Sequence, residues 1–240
     1  MALVSAREIA RCCYLTLLYT LYIELMRPIL TKRIAYSRAE YFSDFAVHMA
    51  GLVAVVGCVP ILIVLAAIHG DGPSHVIATV VYGFCFAAMI ACSALYNIFS
   101  RPEWEWLLKR LDHSAIYLKI AGTVTGFALI AGQGWMLVAI LWAAAATGIS
   151  LKLAAPFRFR RLSIALYLSM GWAAGLLGWG IFAALPRSVL ALILIGGLSY
   201  TVGVGIYVWD RLPFHIAIWH ALVLVGSLCL YAAIVVAVVN

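Results

Sequence analysis

Long apolar stretches alternate with short polar segments over most of this sequence. Each stretch holds at least eighteen mostly apolar residues, enough for a helix rising 1.5 Å per residue to cross a hydrocarbon core about 30 Å thick. Seven stretches meet this description: 45–68, 76–99, 113–130, 135–153, 163–185, 188–209 and 214–238. The pattern therefore predicts an all-α polytopic membrane protein with seven transmembrane helices.

The charges of the connecting segments predict the orientation of these spans. Of the sixteen Lys and Arg residues, fourteen precede the first span or follow an even-numbered span, Arg187 alone lies in the other connections, and Lys119 lies inside the third span. By the positive-inside rule, the N-terminus is cytoplasmic and the C-terminus lies outside. A chain that is 66% hydrophobic with a net charge of +7 is expected to contact anionic lipids, at "PFRFRR" (156–161) above all, and not nucleic acid.

A shorter apolar segment at residues 12–26 precedes the first span. It carries Glu24 among Tyr and Thr residues, a composition that suits an interfacial or buried amphipathic helix better than a span. No small-residue cleavage site follows Arg7 and Arg11, so a cleavable signal peptide is not expected. The predicted organisation is a cytoplasmic N-terminal segment at 1–44 with a short interfacial helix, followed by a transmembrane domain at 45–240.

Polar side chains gather at the predicted cytoplasmic end of four spans. Their positions are Asp44 and His48 on span one, Ser93 and Asn97 on span two, Asp112 on span three, and His215 and His220 on span seven. Ionisable groups inside a membrane are costly and usually face a bundle interior or a cavity. The layer therefore indicates a functional pocket, although histidines near helix ends are also often ordinary hydrogen-bonded residues.

Helical spacing refines this picture. Glu40, Asp44 and His48 recur every four residues and so share one helix face. Lys119 shares a face with Asp112, and it either pairs with a carboxylate or extends towards the cytoplasmic edge of the membrane.

The two histidines of "PFHIAIWH" do not have the spacing of a chelating pair. Five residues along an α-helix is about 500°, so His215 and His220 point roughly 140° apart. The position four residues before His220 is Ile216, which offers no ligand atom. His215 could still approach an ion if the helix begins after it, because Pro213 stands where first helical turns begin.

Four segments together resemble the hemolysin III family, the bacterial branch of the progestin and adipoQ receptor family. They are "EYFSDFAVHMAG", "SALYNIFSRP", "LLKRLDHSAIYLKIAGTVTG" and "RLPFHIAIWHALVLVGS". The resemblance covers essentially everything after Ser37. It implies a seven-helix protein of the bacterial inner membrane, with a zinc ion near the cytoplasmic face held by three histidines, and with a serine and an aspartate nearby.

Carried over to this sequence, the resemblance implies a damaged site. Ser93 and Asp112 match the family's serine and aspartate, whereas the ligand positions fall on Asn97, Ile216 and His220, so one histidine of three is kept. His215 is the substitute within reach. Zinc binding is therefore expected to be shifted, weakened or lost. The candidate metal ligands are His220, His215 and Asn97, the candidate catalytic residues are Asp112 and Ser93, and the other pocket residues are Glu40, Asp44, His48 and Lys119.

Two functions follow as hypotheses. The first is metal-dependent hydrolysis of a lipid amide, in which an ion would activate water, Asp112 would act as base and Ser93 would orient the base or the oxyanion. The second is a non-catalytic receptor or membrane-homeostasis protein whose pocket binds lipid. A proton or ion pathway is less favoured, because the ionisable residues gather at one depth.

Overall fold

The computed structural model describes residues 37–99, 101–154 and 160–239, without the side chains of residues 160 and 161. The chain divides into two units, Met1–Ser37 and Arg38–Asn240, and the described helices belong to the second. The predicted interfacial helix at 12–26 lies outside the described residues, as does most of the basic segment "PFRFRR".

The described residues form eight α-helices and no strand, which confirms the all-α fold class. In chain order they are α1 (Arg38–His69), α2 (Pro73–Asn97), α3 (Glu105–Ala131), α4 (Trp135–Ala154), α5 (Arg160–Leu177), α6 (Trp179–Ala183), α7 (Arg187–Val208) and α8 (His215–Val239).

Six of these helices, α1 to α4, α7 and α8, are long and apolar enough to cross a membrane. The protein is therefore a polytopic membrane protein, as predicted. The predicted span at 163–185 is instead divided into α5 and α6 at Gly178. A Cβ atom there would lie 2.3 Å from the Ala174 carbonyl oxygen and 2.9 Å from the Phe182 ring, so the close approach admits only glycine. The apolar part of α5, Leu162–Leu177, is shorter than the six spans.

The ends of the long helices follow local sequence signals. Pro73 occupies the first turn of α2, where the missing N–H costs nothing. Gly132 adopts a left-handed conformation (φ 66°) after α3 and donates its N–H to the Ala128 carbonyl. α1 begins at Arg38, seven residues before the predicted start of span one, so Glu40 and Asp44 belong to the same continuous helix as His48.

Packing between helices brings the polar residues together. α1 packs against α2 and α8, α3 packs against α2 and α4, and α7 packs against α8. Tyr82, Tyr117 and Phe127 are fully buried in the core, whereas Val53 and Phe84 are among the large apolar side chains left exposed, as suits a surface facing lipid. The start of α1, the end of α2 and the start of α8 thereby meet at one end of the bundle, here called the polar end.

Candidate metal centre

A carboxylate and two imidazoles meet at the polar end. Asp44 and His48, one turn apart on α1, are both buried, at 5% and 4% exposure. His220 of α8 lies against them: its Nδ1 is 2.5 Å from the Asp44 Oδ1, and its ring centroid is 4.5 Å from that of His48. One ligand atom from each of the three residues lies within 4.8 Å of the others. We call these residues the Asp–His–His cluster.

Both ring nitrogens of His48 are hydrogen-bonded, and the partner of Nδ1 sets the tautomer of the ring. Its Nδ1 lies 2.8 Å from the backbone carbonyl oxygen of Asp44. A carbonyl oxygen only accepts, so Nδ1 carries the proton and donates it, and Nε2 of the neutral ring keeps its lone pair. A metal-ligating histidine characteristically donates its other N–H in this manner. Hydrogen bonding within α1 therefore fixes the tautomer of His48, and Nε2 could bind an ion only in exchange for its contact with the Ser93 hydroxyl.

Ser93 and Asn97 on α2 form a layer behind His48. The Ser93 Oγ is 3.2 Å from the His48 Nε2, and the Asn97 side-chain amide donates to the Ser93 Oγ (3.3 Å) and to the Ser93 carbonyl oxygen (3.0 Å). On α3, Asp112 lies beside Ser93 and within electrostatic range of His220. The structure thus brings both predicted catalytic residues next to the Asp–His–His cluster.

His215 stands apart from the Asp–His–His cluster. α8 begins at His215 itself, so the helix does not begin after it, as an approach to the ion would require. Its Nδ1 donates to the Leu212 carbonyl oxygen at 3.0 Å, and its buried Nε2 has no hydrogen-bond partner among the described residues. Of the predicted ligands, His220 is in the cluster, and the roles of His215 and Asn97 as ligands stay predictions. Asp44 and His48 were predicted as pocket residues and prove to be candidate ligands.

Lys119 follows neither of its two predicted alternatives. It is 3% exposed, and it forms no ion pair with a carboxylate of the described residues. Its Nζ lies 3.7 Å from the centroid of the Tyr82 ring and 4.8 Å from that of Phe86, and it donates to the Thr123 Oγ1 at 3.3 Å. Lys119 is therefore a core residue held by aromatic faces, separate from the Asp–His–His cluster.

Glu40, the remaining predicted pocket residue, contacts the start of α8. Its Oε1 accepts a hydrogen bond from the backbone N–H of Phe214 at 3.0 Å. Phe214 has a φ of 59°, and the sequence carries no signal for this conformation, because glycine is the residue that normally adopts it. This contact could not be found by sequence reasoning.

The helices and the Asp–His–His cluster define the class of protein: a helical polytopic membrane protein with a candidate metal site where three helix ends meet. A family model described as "Haemolysin-III related" matches residues 40–231, and the chain belongs to this hemolysin III family. The predicted resemblance is confirmed.

Two relatives support the assignment. The chain is 37% identical to "Hemolysin-3" of Bacillus cereus over 195 residues, which cover 80% of this chain and 89% of the relative. It is 33% identical to "Hemolysin-3 homolog" of Bacillus subtilis (strain 168) over 195 residues, 80% of this chain and 91% of the relative. No solved structure matches the chain significantly.

Proposed function

We propose that this protein is a metal-dependent hydrolase of the bacterial inner membrane that acts on a lipid amide at its cytoplasmic face. The observation that carries the proposal is the meeting of Asp44, His48 and His220, with ligand atoms within 4.8 Å of one another. Burying imidazoles and a carboxylate costs free energy unless these groups bind one another or a cation. The choice of a lipid substrate is supported by the membrane setting and by the family resemblance.

The proposed topology places the polar end in the cytoplasm. The fourteen-to-one distribution of loop Lys and Arg supports a cytoplasmic N-terminus and an external C-terminus. In this proposal α5 and α6 together form the remaining span, giving seven, and residues 1–44 supply an interfacial helix. Anionic lipid headgroups would meet the basic connections on the same side as the Asp–His–His cluster.

The donor set fits zinc. Two imidazoles and one carboxylate are the protein ligands of several catalytic zinc sites, which keep a further position open. The damage implied by the family's ligand pattern is thus offset, because Asp44 and His48 stand in for the histidines missing at positions 97 and 216. Bound zinc would supply Lewis-acid polarisation of the scissile carbonyl and make water a better nucleophile near neutral pH.

The other residues have distinct proposed roles. Asp112 would take the proton of the attacking water and pass it to the leaving amine, as its position beside Ser93 and near His220 allows. Ser93, which is hydrogen-bonded to the His48 Nε2, would give up that nitrogen to the ion and orient the Asp112 carboxylate. Asn97 would fix Ser93 through its two hydrogen bonds. His220, with a side chain that is 13% exposed, would lie where the site opens.

Hydrolysis of a vesicle-borne N-acyl sphingosine tests the proposal. The purified protein in liposomes should release fatty acid, detected by mass spectrometry, and both a chelator and Asp112→Asn should abolish the release. Asp71→Asn, which changes an exposed carboxylate between α1 and α2, is the matched control and should leave release unchanged. Binding of the lipid without release of fatty acid would instead support the receptor hypothesis and contradict the hydrolase.

A further inference from the structure

The residue before α8 has an unusual backbone conformation. Phe214 has a φ of 59°, and no other described non-glycine residue has a positive φ. Its carbonyl accepts the Ile218 N–H at 2.9 Å, so Phe214 is the residue that caps the N-terminus of α8. Capping residues normally adopt extended backbone angles, and a bulky side chain in the left-handed region is unfavourable. Something must stabilise this conformation.

The Glu40 carboxylate is the group that contacts this strained residue. Its Oε1 accepts the Phe214 N–H at 3.0 Å, across from α1 to the start of α8. A negative charge at a helix N-terminus is also favourable, because it meets the positive end of the helix dipole. Glu40 therefore both accepts an otherwise unpaired backbone N–H and stabilises the first turn of α8.

The same face of α1 carries the two ligand candidates. Glu40, Asp44 and His48 follow one another at intervals of four residues, and Asp44 contacts His220, six residues beyond Phe214. The pairs Glu40–Phe214 and Asp44–His220 show that α1 and α8 run in the same direction here. Six residues of helix advance about 9 Å, so the first contact fixes the height and rotation at which α8 presents His220.

We propose that Glu40 is a positioning residue: by holding Phe214 in its left-handed conformation, it sets the register of α8 against α1 and so completes the Asp–His–His cluster. This inference rests on the proposed metal site for its functional meaning. Its structural part, the coupling of Glu40 to the Phe214 backbone, can be measured without any metal.

Three substitutions separate this role from a merely structural one. Glu40→Ala removes the hydrogen-bond acceptor, Glu40→Gln keeps an acceptor oxygen, and Phe214→Gly makes the left-handed conformation easy without help. Glu103→Ala, which removes an exposed carboxylate from the connection between α2 and α3, is the matched control.

Two readouts are taken on each full-length variant in detergent. The first is amide hydrogen exchange in the peptide covering residues 210–218, which reports on the Phe214 N–H. The second is the affinity for Co²⁺ together with the visible absorption spectrum of the bound ion, which reports on the ligand arrangement.

Glu40→Ala should remove the protection of the Phe214 amide and weaken Co²⁺ binding by roughly 10-fold, the lower end for loss of an outer-shell partner. Glu40→Gln should restore protection and affinity to within about threefold of the unmodified protein, and Glu103→Ala should change neither. In the Phe214→Gly background, Glu40→Ala should weaken Co²⁺ binding by clearly less than it does alone, because glycine does not need the restraint.

The proposal is wrong if Glu40→Ala changes neither the hydrogen exchange of the Phe214 amide nor the affinity for Co²⁺. It is also wrong if Glu40→Ala weakens Co²⁺ binding equally in the unmodified protein and in the Phe214→Gly variant. If no variant binds Co²⁺, including the unmodified protein, the metal centre fails, while the exchange data still decide whether Glu40 restrains Phe214. If Glu40→Ala does not fold, Glu40→Gln is compared with the unmodified protein instead. Loss of the protection of the Phe214 amide in Glu40→Gln would contradict the role of residue 40 as a hydrogen-bond acceptor.

Discussion

Two of the buried ionisable sites among the described helices are stabilised in different ways. At the polar end, the Asp44 carboxylate is met by the imidazoles of His48 and His220. Farther along α3, about 10 Å from Asp112 by helical rise, the Lys119 ammonium is met by the faces of Tyr82 and Phe86 and by one hydroxyl. Asp44 and Lys119 are both buried, yet the groups that surround them differ in kind.

The groups around a buried charge distinguish a candidate binding site from a core residue. The donors around Asp44 are groups that a cation can recruit as ligands, and they come from two helices that meet at the end of the bundle. The groups around Lys119 are aromatic rings and a hydroxyl, which already complete the surroundings of a cation. The polar end is therefore a site able to exchange partners, whereas the Lys119 site is closed.

The largest expected effect is on the metal affinity of an Asp44 variant. Asp44→Asn removes the carboxylate charge while keeping the side-chain shape, so Zn²⁺ affinity should fall by more than the roughly 10- to 100-fold typical of an outer-shell change. Competition with a chromophoric chelator measures it. Asp71→Asn is the control, and His215→Ala should weaken binding by less than about threefold. A large loss with His215→Ala and none with Asp44→Asn would reverse the assignment of the ligands.

Restoring the family's ligand pattern should rescue the Asp44 variant. Asn97→His together with Ile216→His places imidazoles at 97, 216 and 220, and positions 216 and 220 lie about 40° apart around a helix. In the Asp44→Asn background this pair should recover at least about 10-fold in Zn²⁺ affinity, since three imidazoles suffice for a catalytic zinc site. Thermal melting with and without Zn²⁺ checks the result, because only a variant that binds the ion is stabilised by it.

Removal of the Ser93 hydroxyl should have an intermediate effect. Ser93→Ala deletes the hydrogen bond to the His48 Nε2 and leaves the Asn97 amide without one acceptor. An ion would then no longer have to displace this hydroxyl from the His48 Nε2, so Zn²⁺ affinity should rise by about fivefold, the equivalent of one hydrogen bond of about 1 kcal/mol. Ser74→Ala, at the other end of α2, provides the control. Weaker binding in Ser93→Ala would mean that Ser93 supports the His48 ring instead of competing with the ion for its Nε2.

The smallest effect on metal is expected at Lys119. Lys119→Met replaces the buried ammonium with an apolar side chain of similar length, so Zn²⁺ affinity should stay within about twofold. Thermal stability should be unchanged or higher, since replacing a buried charge by a well-packed apolar group is often neutral or stabilising. A marked loss of metal affinity would show that the two sites are coupled and that the Lys119 site is not closed.

The lengths of the apolar stretches predicted most of the helices, because any helix that crosses a membrane needs about twenty mostly apolar residues. The division at Gly178 was missed, since it depends on the approach of Phe182 and Ala174 to the backbone. A sequence pattern contains no such contact.

The sequence indicated at which end of the helices the polar residues lie, but not which of these residues contact one another. The four-residue spacing of Asp44 and His48 was readable, and so was the place of His220 at a helix start. Which imidazole meets the Asp44 carboxylate depends on the rotation of α8 against α1, which the Phe214 conformation and its Glu40 contact influence. The aromatic surroundings of Lys119 likewise depend on how α2 packs against α3. For this reason the sequence predicted a carboxylate partner or extension to the membrane edge, and neither is observed.

Whether Asp44, His48 and His220 hold a metal ion can be decided from the metal content of the native protein. The protein should be purified in mild detergent without chelators, beside Asp44→Asn prepared identically, and analysed by inductively coupled plasma mass spectrometry. We expect about one equivalent of a transition metal, zinc above all, in the unmodified protein and a much smaller amount in the variant. Absence of metal from both preparations, or an equal content in the two, would mean that these three residues do not form a metal centre.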